Sequence, residues 1–124
     1  MENLLKELDQ LGEITANYKP YKVEDHGGLY KTFHSCSLKQ DNLDISIGYN
    51  VYREKATNHM KIIEIYEKTP QYYYVTLIDL LTPQIEKMEI LGENNVKKIG
   101  SLSLPEITEY LRLTNKMFMM CVPQ

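Results

Sequence analysis

The chain has no tryptophan, two cysteines, two arginines, Arg53 and Arg112, and no apolar run approaching the length of a membrane span. Each scarcity excludes something. A helix crossing a bilayer takes ~20 consecutive apolar residues, and no segment supplies them. Cys36 and Cys121 lie far apart, and Met1-Glu2-Asn3 opens no cationic stretch followed by an apolar one. The reading is two reduced thiols in a cytoplasmic protein, because a Cys36–Cys121 disulfide needs an oxidising compartment. Arginine is the side chain that grips phosphate and guanine edges bidentately, so its rarity argues against extensive nucleic-acid contacts. With a net charge of −3 and a pI near 5.6, the chain lacks the basic excess of a protein that coats DNA or anionic membrane; a small local patch for site-specific binding stays open. Nor do the glycines build a phosphate cradle. Gly12, Gly27-Gly28, Gly48, Gly92 and Gly100 match neither the Walker nor the dinucleotide fingerprint.

What is present is ordinary globular composition: 124 residues, 43% hydrophobic and 25% charged, the size of one domain spanning residues 1–124. A chain of this length buries enough surface to fold without a disulfide or a structural metal. Its richness in Lys, Asn, Ile and Tyr points to an AT-rich bacterial genome.

Periodicity orders the elements. Leu4, Leu5, Leu8 and Leu11 at helical spacing predict an amphipathic helix of about three turns, weakened at its end by Gly12 and stopped before Pro20. Residues 18–28 read as a connection with a tight turn at Gly27-Gly28. A strand over 29–38 follows, whose two apolar parities (Leu29 and Phe33; Tyr30, Cys36 and Leu38) a bulge would reconcile. The clearest alternation is Leu43, Ile45, Ile47, Tyr49 and Val51 after the turn at Asp41-Asn42, which predicts a strand with one buried face. Segments 59–68 and 72–81 read as further strands, the second apolar on both parities and so expected to be covered on both sides. Residues 83–91 fit a helix begun by Thr82-Pro83 or a hairpin strand of alternating Met88 and Ile90; the hairpin is preferred, with a turn at Gly92 to Asn95. Ser103-Leu-Pro-Glu106 is a capping box that opens a helix over 104–119. The fold class is therefore α+β: an antiparallel meander of five or six strands, curved into a small sheet or a partly closed barrel, flanked by N- and C-terminal helices.

Chemistry-bearing residues are sparse. His34-x-Cys36, with His26 and His59, places metal-ligand types near one another, but no paired ligand motif completes a set, so the structural reading of these side chains is preferred. A Cys36 nucleophile would need a base beside it and exposure, whereas burial on a strand raises a thiol pKa. Asp79 interrupts an apolar strand and is expected near its end, bonded to a turn. No catalytic residue, cofactor or metal site is assigned.

Tyrosine is the compositional excess: ten residues, with Tyr72, Tyr73 and Tyr74 consecutive and therefore on alternate faces of a strand. Exposed rings on a sheet stack on single-stranded bases or anchor protein interfaces; the plainer reading is β-favouring residues clothing a sheet. Lys19, Lys22 and Lys31 interleave with tyrosines, and Lys97-Lys98 lies in the last predicted strand, although Glu24 and Asp25 blunt the first group. Tyr72, Tyr73, Tyr74, Lys31 and Lys97 are the candidate contacts for RNA or another partner. The Met-rich segment Met117 to Val122 is expected to close the domain's own core, with a homodimer seam as the alternative.

The organisation around the 41–81 strands and the Ser103-Leu-Pro-Glu106 helix start resembles the PrgU-like regulators of pheromone-responsive conjugative plasmids. That resemblance implies a PUA-like pseudo-barrel and RNA-linked control of gene expression, and it carries no functional residue with it. The expected function is a non-enzymatic regulatory or accessory protein of a mobile element that binds RNA. The alternatives are a protein-binding inhibitor or adaptor, and a small enzyme or metal site around His34 and Cys36.

Overall fold

A computed structural model describes residues 2–121; Val122, at the end of the Met-rich segment, lies outside the described residues. Seven strands pair in simple chain order between two helices: α1 (Glu2–Asn17), β1 (Lys22–His26), β2 (Leu29–Gln40), β3 (Leu43–Glu54), β4 (Met60–Lys68), β5 (Tyr73–Asp79), β6 (Gln84–Gly92), β7 (Asn95–Ser101) and α2 (Leu104–Cys121). Every pairing is antiparallel. Among the described residues β1 pairs only with β2 and β7 only with β6, so the sheet stays open and is not a closed barrel.

Both helices lie on one face of the sheet. The alternation of β3 sends Ile45, Ile47, Tyr49 and Val51 beneath them, where they meet Leu4, Leu8 and Leu11 of α1 and Ile107, Leu111 and Phe118 of α2 in one continuous core. Leu5, expected in the α1 stripe, is exposed at 49%. It lies one position off the Leu4–Leu8–Leu11 line. Among the described residues the opposite face carries no helix.

Several expectations are corrected. Helix α1 runs 16 residues, past Gly12. It stops before Pro20 as expected, and Gly12 lets it approach β4, since a Cβ there would stand 3.2 Å from the Met60 methyl carbon. The connection over 18–28 contains strand β1, whose charged residues hide its nature: it is an edge strand recruited by backbone pairing with β2, and most of its side chains are exposed. Ladder β2–β3 is continuous, and the irregularity expected in β2 lies instead between Tyr52 and Arg53, where β3 meets β4. The parities of β2 conflict because polar His34 and Thr32 share the buried face while Phe33 lies on the open one. Strand β5 is not covered on both sides by other layers. Its open-face residue Val75 is buried between its cross-strand neighbours Tyr66 and Met88.

The ambiguous segment is strand β6, as the hairpin reading has it. The capping box at α2 forms as the sequence dictates. The Glu106 amide donates to Ser103 Oγ at 3.4 Å and the Ser103 amide donates to Glu106 Oε1 at 3.3 Å.

Candidate functional site

The open face of the sheet holds a cleft of about 520 Å³ over β1 to β5. Its floor is made of small residues, Ser35, Ser37, Ser46 and Gly48, and its walls are aromatic. Strand register assembles those walls. Gly48 lies opposite Ser35 and Tyr66, Phe33 opposite Asn50, and Tyr73 opposite Lys68. Phe33 meets Tyr66 edge-on at 6.4 Å and Tyr21 at 6.1 Å, and Tyr66 meets Tyr73 at 6.3 Å.

A hydrogen-bonded row locks one wall. Asn50 Nδ2 donates to the Tyr66 hydroxyl at 2.8 Å and to Glu64 Oε1 at 3.3 Å, and the Tyr52 hydroxyl donates to the same oxygen at 3.2 Å. Burial, then the Glu64 charge, pushes Tyr52 and Tyr66 up to about 12. These phenols therefore stay protonated, as neutral hydrogen-bonding groups.

Three lysines and one glutamate border the cleft, a net charge of +2 from these four residues. Lys22 and Lys31 lean on Glu24 at 2.5 and 3.9 Å, and hydrogen bonds from Lys22 and His26 hold that carboxyl at about 2. Lys68 makes no ion pair among the described residues and stands 5.7 Å from the Tyr73 ring centre. The arrangement offers flat apolar surface, hydroxyls and a modest positive rim to one ligand.

Of the residues singled out from sequence, Tyr73 and Lys31 come together in this cleft. Tyr72 and Tyr74 fall on the helix side, stacked on each other at 4.5 Å, and Lys87 lies between the rings of Tyr74 and Tyr110 at 4.6 and 4.8 Å. Lys97 lies on edge strand β7, opposite Glu89 and outside the cleft. Phe33, Tyr66, Gly48 and Asn50 were not foreseen. A glycine inside an alternating strand is a signal of close approach by a neighbouring group, and it would have pointed to Gly48.

The His34 and Cys36 side chains share the helix face of β2 and are buried. Since a carbonyl only accepts, His34 Nδ1 donates to the Tyr18 carbonyl at 3.0 Å; its Nε2 meets Thr32 Oγ1 at 3.2 Å. Burial is the larger of the effects that lower the His34 pKa, and the nearby Arg53 adds to it. The Cys36 thiol donates to the Phe118 carbonyl at 3.6 Å and is pushed far up by burial and then by Cys121 beside it. Among the described residues, no three His, Cys, Asp or Glu side chains are grouped to share a metal. Asp79 closes the β5–β6 turn, accepting from the Leu81 and Thr82 amides and the Thr82 hydroxyl. Burial pushes its carboxyl up, but these hydrogen bonds outweigh it and hold the pKa below the usual range.

No helix among the described residues is long and apolar enough to cross a membrane. No family model, curated protein or solved structure gives a significant match to this chain.

Proposed function

We propose that this protein is a non-enzymatic regulator of a bacterial mobile element that binds single-stranded RNA on the open face of its sheet. The observation that carries the reading is the cleft in which Phe33, Tyr66 and Tyr73 meet under a rim holding Lys22, Lys31 and Lys68. Base stacking on aromatic rings is tolerant of sequence, and lysines beside them take the phosphates. The role in gene expression follows what the resemblance to PrgU-like regulators implies.

The test is purification of the protein from cells at low salt, with absorbance at the nucleic-acid and protein maxima compared before and after ribonuclease. A nucleic-acid signal that ribonuclease removes supports the reading and supplies the bound species for sequencing. Affinity for a short single strand must then fall as salt rises, because phosphate contacts release counterions; affinity independent of salt counts against it.

A protein partner is the second reading. The outer surface of α2 favours it, where Leu113, Met119 and Met120 stand 45%, 53% and 59% exposed. A clean protein spectrum, with a second copy of the chain or another protein bound along α2, would support that reading over RNA.

A further inference from the structure

Arg53 is 8% exposed, and among the described residues no carboxylate pairs with it. It sits on the helix face of β3, at the irregularity where β3 leaves its register with β4. Its Nη1 donates to Thr32 Oγ1 at 3.1 Å and its Nη2 to Thr15 Oγ1 at 3.2 Å. These are neutral acceptors. The His34 Nδ1 proton is committed to the Tyr18 carbonyl, which leaves Nε2 of the neutral ring as an acceptor facing the Thr32 hydroxyl, whose one proton also has the Val51 carbonyl within reach at 3.5 Å. The chain of bonds from Arg53 through Thr32 to His34 therefore leaves one positive charge that no carboxylate among the described residues pairs with. Buried guanidinium groups are ordinarily paired, because desolvating an unpaired charge is costly.

This charge is not sealed in the core. Arg53, Thr15, Thr32 and His34 line a cleft of about 770 Å³ between α1 and the sheet, on the face opposite the aromatic cleft. Elsewhere in the lining Leu5, Leu8, Met60 and Leu80 are apolar, Tyr30, Asn58 and His59 are polar, and the exposed Asp9 and Glu13 of α1 bring negative charge. A dianion would be repelled by these carboxylates. A monoanion with an apolar body satisfies Arg53 and lies along the hydrophobic wall.

We propose that this cleft binds a small organic monoanion, a carboxylate on an apolar body, with Arg53 gripping the carboxylate and Leu8 and Met60 covering the body. A planar carboxylate matches the guanidinium fork. Charge-assisted hydrogen bonds to that carboxylate are worth roughly ten- to hundredfold in affinity.

The experiment is a titration of the full chain with octanoate, read by amide chemical shifts and calorimetry, with octanol and inorganic phosphate as comparison ligands. The expected result is saturable movement of the Thr15, Thr32 and His34 signals, with Gly48 and Tyr66 unmoved. Octanol should bind at least about tenfold more weakly for want of charge, and phosphate more weakly because of Asp9 and Glu13. Arg53→Lys keeps the charge but loses the fork and should weaken octanoate about tenfold, with folding checked by circular dichroism. Glu13→Gln, on the exposed rim, tests the same site without touching the core and should strengthen binding a few-fold. Octanoate and octanol binding equally, movement of the open-face signals instead, or no saturation would each overturn the proposal.

Discussion

The ring of Phe33 lies against the backbone of Gly48: a Cβ at Gly48 would stand 2.9 Å from Phe33 Cε2 and 3.1 Å from Cζ. The two residues are on adjacent strands of the open face, where Phe33 lies opposite Asn50 and Gly48 opposite Ser35. Because Gly48 has no side chain, the ring packs on the backbone of β3, with its plane nearly perpendicular to that of Tyr66. The absence of one methyl thus sets both the depth of the cleft and the pose of its central aromatic.

Gly48→Ala should lift Phe33 from this position. Phe33 is half-buried and the clash is with the far end of its side chain, so the expected destabilisation is moderate, ~1–2 kcal/mol, the lower part of the ~1–3 kcal/mol range for overpacking. Ligand binding at the open face should suffer more than the urea midpoint. An unchanged midpoint together with unchanged binding would show that the Phe33 pose is unimportant.

Substitutions around the cleft separate stacking from charge. Phe33→Ala and Tyr73→Ala should each weaken single-stranded RNA by ~1–3 kcal/mol, the measured range for loss of one stacked base. Lys68→Gln should lower the salt slope by ~0.7, one phosphate contact on a single strand. Tyr72→Ala should leave affinity unaltered, since Tyr72 stacks on Tyr74 on the helix side. Fluorescence anisotropy at two salt concentrations checks all four, and equal losses in all of them would mean that the face is not the binding site.

How far these sites are legible in sequence depends on what carries each signal. The alternation from Leu43 to Val51 marks β3 and its buried face, because half-buried strands must repeat at period two. The capping box marks the start of α2 for an equally local reason. Strand β1 leaves no such trace: an edge strand with exposed side chains needs only its backbone, and backbone pairing has no composition. The open-face site is an outcome of register. Tyr66 is brought beside Gly48 only by the β3–β4 pairing, which no short window of residues encodes. Arg53 was visible only as a rare residue type, and its neutral partner on α1, Thr15, emerges when that helix lands on the sheet.

Tyr49 ties the centre of the sheet to α2. Its hydroxyl donates to Asn115 Oδ1 at 3.0 Å, and both residues are buried. Tyr49→Phe should destabilise the fold by ~1–3 kcal/mol, because the Asn115 oxygen is left without this donor in the core. Asn115→Leu in the Tyr49→Phe background should recover part of the loss, since removing both polar partners avoids the orphaned group. A urea-unfolding double-mutant cycle measures the coupling, and strictly additive losses would refute it.

Stability should decline in alkali, and the direction follows from burial. Cys36, Tyr49 and Tyr110 are shifted upward chiefly by desolvation, and Tyr52 and Tyr66 reach about 12. In the unfolded chain these groups lose their protons near their ordinary values, ~8.5 for a thiol and ~10 for a phenol. Between those values and the raised folded ones the unfolded state binds fewer protons, so unfolding becomes easier as pH rises. Their contribution is complete below pH ~8 and is lost progressively as pH climbs through ~9 to ~12. The measurement is the urea midpoint as a function of pH, alongside phenolate absorbance of the folded protein. Tyr66→Phe should make the alkaline decline shallower, because it removes one of the shifted phenols while keeping the ring that meets Phe33 and Tyr73. A midpoint that stays flat to pH ~11 would contradict the upward shift of these groups.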